Sequence, residues 1–176
     1  MPVETELKLE VAPRHLARVA GHALLKSARR RAARKLYSVY YDTPELDLWR
    51  AGVSLRLRRD GKHWVQTVKC GGSVAAGLHQ RDEIETVIAA PLPDFTALEA
   101  TGLATHFSSL ELRAQLKPLI VTEFTRRSCL LEPAKGTTIE ASIDTGTVSS
   151  GNSSERICEV ELEIKAGPPW RAYEAA

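Results

Sequence analysis

Val3-Glu4-Thr5-Glu6-Leu7-Lys8-Leu9-Glu10-Val11 alternates charged residues with apolar or β-branched ones. Successive side chains of an extended strand point to opposite faces. Glu4, Glu6, Lys8 and Glu10 therefore share one face, and Val3, Thr5, Leu7, Leu9 and Val11 share the other. The pattern returns near the far end as Glu159-Val160-Glu161-Leu162-Glu163-Ile164-Lys165. Glu159, Glu161, Glu163 and Lys165 again lie on one side. Two terminal strands carrying the same ladder of carboxylates predict a single site built by both.

Working inward, aromatic, β-branched and alternating runs predict strands over residues 36–42, 53–59, 63–70, 78–88, 119–132 and 138–148. Asp60-Gly61 is a hairpin signal between two of them. Residues 13–27 read as a helix that begins at Pro13, and 89–118 as a helical interlude interrupted near Gly102. Residues 170–176 read as the start of a further helix. Gly71 to Gly77 reads as a flexible loop, and residues 149–154 as a polar loop. The first of these lacks the lysine and the strand-to-helix setting of a phosphate-binding loop. Most strands follow one another through turns, so the sheet should be antiparallel. The expected architecture is α+β: an eight-stranded antiparallel closed β-barrel with helices packed on the outside, wide enough for a small ligand.

The 176 residues are enough for one core, and a single domain over 1–176 is expected. With 43% hydrophobic and 26% charged residues the composition is that of an ordinary soluble protein. No apolar run reaches about 18 residues, so no membrane partner is expected. The early charges at the N-terminus argue against a signal peptide. Cys70, Cys129 and Cys158 are too few and too scattered for a disulfide framework or zinc cluster, which favours a cytoplasmic location. Net charge is +2, yet residues 1–88 hold 16 Lys/Arg against 10 Asp/Glu and residues 89–176 hold 8 against 12. Such a division suits bases that hold an anion and carboxylates that hold a cation. Arg29-Arg30-Arg31, with Arg34 and Lys35, has no interleaved aromatics and belongs to no nucleic-acid module, so no nucleic-acid partner is expected. Monomer and homodimer both remain open.

An alternating strand ordinarily turns its charges to water. Here the charges are sorted by strand, which a solvated surface has no need to do. Carboxylates fill the first and last strands. Arg56 and Arg58 share one face with Ser54, Lys69 lies in phase with Thr67, and Arg81 lies in phase with Glu83 and Glu85. Arg126 shares a face with Thr122, Phe124 and Ser128, and Glu140 and Asp144 share a face with Ser142. The helices also need an apolar sheet surface to cover. Charged faces turned inward satisfy both conditions. Two like charges about 6 Å apart at an effective dielectric of about 20 repel by roughly 3 kcal/mol. Several such pairs would rival a whole domain's stability of about 5–15 kcal/mol, so a lumen of this kind needs bound counter-charge. A polyanion with a divalent cation supplies it, and a donor set of carboxylate oxygens alone points to Mg²⁺ or Mn²⁺.

Glu4-Thr5-Glu6-Leu7-Lys8 resembles the ExExK signature of the CYTH domain, the triphosphate tunnel metalloenzymes. The likeness runs on through Tyr41-Asp42-Thr43-Pro44, Leu55-Arg56-Leu57-Arg58, Thr67-Val68-Lys69, Gly77-Leu78-His79-Gln80-Arg81-Asp82-Glu83, the strand around Arg126, Ile139-Glu140 to Asp144, and Cys158 to Glu163. The Gly-Leu-His-Gln-Arg segment most resembles bacterial inorganic triphosphatases, many of which continue into an α-helical CHAD domain associated with polyphosphate. The resemblance implies metal-dependent hydrolysis of inorganic triphosphate, or of a nucleoside or organic triphosphate, with Mg²⁺ or Mn²⁺ as cofactor. It implies Glu4, Glu6, Asp144, Glu159, Glu161 and Glu163 as metal ligands. Lys8, Arg56, Arg58, Lys69, Arg81 and Arg126 would bind the triphosphate. Catalysis would fall to Lys8, Arg56, Arg58, Lys69, Glu140 and Asp144, with Glu83 as a further lumen carboxylate. Class IV adenylate cyclase, thiamine triphosphatase and a non-catalytic polyphosphate- or nucleotide-binding module stand as the alternative readings.

Overall fold

Strand β1 spans Val3–Glu10 in the computed structural model, which describes residues 3–99 and 101–176. It is followed by β2 (Arg29–Arg30), β3 (Arg34–Asp42), β4 (Val53–Asp60), β5 (His63–Ala75) and β6 (Leu78–Ile88). The last three strands are β7 (Lys117–Ala134), β8 (Thr137–Ser150) and β9 (Ser153–Ala166). Neighbours run β7-β3-β4-β5-β6-β1-β9-β8, and β8 pairs back onto β7, so eight strands close into a ring. All the pairings are antiparallel. The two-residue β2 is a stub on β7. Closure leaves the ring without a free sheet edge.

Which face points inward is settled by the helices. Residues of α1 (Leu16–Ala20), α2 (Ala23–Ser27) and α6 (Arg171–Ala175) pack on the outer side of β1, β7, β8 and β9, against Leu7, Leu131, Ile139, Ala141 and Leu162. On the other flank α3 (Asp47–Arg50), α4 (Thr96–Glu99) and α5 (Leu110–Gln115), with a 3₁₀ turn at Ala104–Phe107, cover Val53, Leu55 and Val68. Each such buried leucine or valine contributes about 1.5–3 kcal/mol relative to exposure. With the apolar faces committed outward, the alternation turns Glu4, Glu6, Lys8, Arg56, Arg58 and their counterparts into the ring. Asp42 is a structural part of this arrangement. Its carboxylate accepts from the backbone N–H groups of Thr43 at 2.8 Å, Leu48 at 2.9 Å and Trp49 at 3.0 Å, and so pins α3 over the outer core.

Several expectations are corrected. The single helix over 13–27 is instead a 3₁₀ turn at Pro13–His15 followed by α1 and α2, broken at Gly21. The interlude over 89–118 is also a set of short pieces. Residues 71–77 are not a loop: β5 runs on to Ala75 past a register shift between Cys70 and Ser73 and turns tightly through Ala76 and Gly77, whose φ values are 47° and 81°. Gly72 permits that continuation, because a Cβ there would lie 1.8 Å from the Gln80 carbonyl oxygen. Residues 149–154 likewise extend β8 and β9, leaving Gly151 and Asn152 as the turn. No described helix is long and apolar enough to cross a membrane.

A charged tunnel as candidate active site and metal centre

Inside the ring lies a cavity of about 500 Å³. Its wall carries Glu4, Glu6 and Lys8 from β1, Arg56 and Arg58 from β4, and Lys69 from β5. Arg81, Glu83 and Glu85 come from β6, Arg126 from β7, and Glu159, Glu161 and Glu163 from β9. A larger hollow of about 660 Å³ around Lys35, Tyr37, Glu123 and Thr145 holds none of this constellation.

The strands divide the wall into two sectors. In the acidic sector, register places Lys8 opposite Glu161 and places Asp144 opposite both Arg126 and Glu159. The Lys8 ammonium lies 2.7 Å from Glu161 and 3.3 Å from Glu159. Arg126 donates from Nε to Asp144 Oδ1 at 2.9 Å, and its Nη2 bonds both Asp144 and Glu161. Asp144 is fully buried. Burial opposes the charge on Glu161, yet Arg126 and Lys8 prevail and hold its carboxyl down to about 2. Burial also opposes the charge on Lys8, but Glu161 and Glu159 lift its pKa above the usual lysine range. Burial, joined by Glu161, pushes the Glu6 carboxyl up.

Oxygens of Asp144, Glu159 and Glu161 all fall within 4.8 Å of one another, the one such group of three among the described residues. The donors are hard carboxylate oxygens with no thiolate or imidazole, so this group fits Mg²⁺ or Mn²⁺ rather than a softer ion. Glu4, Glu6 and Glu163 line the same cavity without joining the group. Glu4 is bonded by Lys69, and Glu163 by Lys165 at 2.6 Å.

In the basic sector Arg56 lies within ion-pair distance of Glu83 at 3.8 Å and Glu85 at 3.4 Å, and Lys69 of Glu4 and Glu83, while Arg58 and Arg81 are less well compensated. Arg56 donates to Thr67 Oγ1 at 3.0 Å and to Glu85 at 3.4 Å, while its buried Nε has no partner in the protein. Arg58 Nε donates to Ser38 Oγ at 3.1 Å, and Arg81 meets the His79 ring at 3.1 Å. Among the described residues neither Arg58 nor Arg81 has a carboxylate within ion-pair distance. Burial and the neighbouring Arg56 hold the Arg58 guanidinium down to about 10.

Glu140 stands apart: it is bonded by Arg31 at 3.0 Å and is not part of the cavity wall. Asp144 is likewise absent from the cavity wall, fully buried and bonded by Arg126. Sequence reasoning gave Glu85 no role, although its phase with Arg81 and Glu83 was visible. It also passed over Tyr40, Thr122, Phe124, Val148 and Ile157, which complete the wall.

Burial raises the Glu83 carboxyl from its ordinary 4.5 to about 7 against the pull of Lys69. The folded carboxyl thus binds its proton more tightly than the unfolded one. Its stabilising contribution is complete below about pH 4.5 and is lost as pH rises through about 7. Ligand-free protein should lose up to about 3 kcal/mol across that window, and Glu83→Gln should flatten the slope. Urea denaturation at half-unit pH steps measures both; equal slopes in the two proteins would contradict the assignment.

The fold and site define a closed antiparallel ring around a lumen lined by acidic and basic side chains from most of its strands. The chain belongs to the CYTH domain family, whose profile matches residues 2–175. It is 30% identical over 165 residues to an inorganic triphosphatase of Haemophilus influenzae, covering 93% of this chain and 46% of the relative. The chain therefore spans about half the length of that protein. Among solved structures, a Hippeastrum protein with a dominant triphosphatase activity superposes with a TM-score of 0.64 at 18% identity, over 98% of this chain and 83% of its own. A Bacillus halodurans protein superposes with a TM-score of 0.57 at 16% identity, over 99% and 87% of the two chains. At such identities the likeness concerns the fold.

Proposed function

We propose that the tunnel binds inorganic triphosphate and hydrolyses it to pyrophosphate and phosphate with Mg²⁺ or Mn²⁺. The observation that carries this reading is the pair Arg58 and Arg81, two cavity-wall guanidinium groups with no carboxylate in ion-pair range among the described residues, beside Arg56, whose buried Nε has no partner. Planar guanidinium forks match phosphate oxygens, and a linear polyanion suits several in a row. Lys69 adds a point charge beside them. The bases hold the chain extended and neutralise the charge that grows on the departing phosphoryl group. Glu159 and Glu161 would hold the cation, with Glu6 beside them and Asp144 behind, held by Arg126. When bound, such a cation polarises phosphate oxygens and sharpens the nucleophilicity of water. Glu140 and Asp144 are held by Arg31 and Arg126, which favours positioning work for both. Glu6, which has no ion pair among the described residues, is left to accept the proton of the attacking water.

The test is phosphate release from tripolyphosphate, ATP and thiamine triphosphate with each metal, assayed beside Glu6→Ala and Arg56→Ala. Both variants should keep the wild-type circular dichroism and lose at least about a hundredfold in metal-dependent release, which is about 2.7 kcal/mol. Full activity in both would overturn the reading. Cyclic AMP formed from ATP, or preferential turnover of thiamine triphosphate, would replace it with a sister activity. Binding without turnover would make the domain a polyphosphate-binding module.

A further inference from the structure

Both oxygens of the central metal-ligand candidate are already taken. Glu161 Oε1 accepts from Lys8 at 2.7 Å, and Glu161 Oε2 accepts from Arg126. Lys8 also reaches Glu159 at 3.3 Å, so one ammonium spans two of the three carboxylates that could hold a cation. The two cations are not held alike. Arg126 is fixed by a two-pronged bond to the fully buried Asp144 and by its contact with Glu161. The Lys8 side chain is 38% exposed and, among the described residues, bonds only these two glutamates. Its four-carbon stem is flexible and its charge is a point charge, able to move without breaking a fork geometry.

Resting on the triphosphatase reading, we infer that Lys8 is a built-in surrogate for the divalent cation: it occupies the acidic sector until metal arrives, and metal binding displaces it into the cavity as an anion ligand. A divalent ion seated on Glu159 and Glu161 would face the Lys8 ammonium at close range in a poorly solvated wall, and like charges there repel strongly. The flexible partner is the one that yields. Once released, Lys8 lies on the cavity wall within reach of whatever anion the arginines hold. Metal binding thereby creates an anion contact, and by linkage the anion favours metal binding in return. Together with Arg126, which holds Asp144 and Glu161, Lys8 makes three carboxylates tolerable within 4.8 Å of one another before any metal binds.

Calorimetric titration of the metal-free protein with Mn²⁺, with no phosphate compound present, tests the inference apart from any catalysis. Lys8→Met removes the competitor and should tighten Mn²⁺ binding by about tenfold or more, whereas Lys8→Arg keeps the charge and should bind as weakly as wild type or more weakly. Unchanged or weaker Mn²⁺ affinity in Lys8→Met would overturn the proposal, and so would equal tightening in both variants. A crystal structure of the Mn²⁺-loaded protein gives the second reading. Lys8 Nζ should then lie beyond ion-pair distance of Glu161; a Lys8–Glu161 pair that persists beside a bound metal would also overturn it. A protein that turns over no triphosphate yet gives the tenfold difference would sink the triphosphatase reading and leave this one standing.

Discussion

Arg126→Met should be among the most destabilising single substitutions in this protein. Arg126 is the only cation bonded to Asp144 among the described residues, and it also bonds Glu161. Asp144 is 0% exposed and Glu161 is 8% exposed. Burial pushes the Asp144 carboxyl up, and the guanidinium pulls it back. Breaking a buried pair by removing one partner leaves an uncompensated charge and costs about 3–5 kcal/mol. For a chain of this length that is about 6–20 °C in Tm, at about 2–4 °C per kcal/mol. The substitution also disturbs the candidate cation site, so activity should fall with stability, and the two effects need separating. Arg126→Met combined with Asp144→Asn does this: the buried charge is gone, so most of the lost Tm should return, while metal-dependent activity stays low. Scanning calorimetry on the single and double variants is the measurement. A single variant within about 1 kcal/mol of wild type would show that Asp144 is neutral in the folded protein and that Arg126 is not its counter-charge.

The pair also marks where sequence reading succeeds and where it stops. Arg126 and Asp144 each fall on the alternating face that was expected to turn inward, because a period of two is visible in any strand. The same periodicity placed Glu6, Lys8, Glu159 and Glu161 correctly on the lumen side. What periodicity omits is who faces whom. Lys8 meets Glu161 because β1 lies between β6 and β9 in the closed ring, and Lys69 meets Glu4 across residues far apart in sequence. Those partnerships are set by strand stagger, a property of the whole ring and not of any segment. Local chemistry misled at residues 71–77, where four small residues and three glycines read as a loop. The pairing of β5 with β6 overrides that propensity, and Gly72 is there for backbone approach. The arginines at 29–31 give no nucleic-acid signal in the sequence. One of them, Arg31, restrains Glu140 because β2 docks on β7, a long-range event with no local signature.

Arg58→Met should do the opposite of Arg126→Met: make the protein more stable and nearly inactive. Arg58 sits in the wall beside Arg56 with Ser38 as its hydrogen-bond acceptor and no carboxylate partner among the described residues. Burial and Arg56 hold its guanidinium down to about 10 from the ordinary 12.5, so at neutral pH the folded state carries a charge that it disfavours. The sign follows from linkage: a base with a depressed folded pKa weakens the fold at every pH below that value. Methionine keeps the length and removes the charge, which should add about 1–3 kcal/mol of stability at low salt, and less as salt screens the arginines. The same charge is what a phosphate chain would meet. Losing one desolvated guanidinium–phosphate contact should lower kcat/KM for tripolyphosphate by about a hundredfold, or about 2.7 kcal/mol. The two readouts constrain each other. A site selected to hold an anion stores repulsion in its empty state and recovers it on binding, so stability and activity must move in opposite directions at Arg58. Added tripolyphosphate should accordingly raise the Tm of wild type more than that of Arg58→Met. If Arg58→Met melts lower than wild type, the guanidinium is serving the fold through Ser38, and the wall around Arg58 loses its claim to be an anion site.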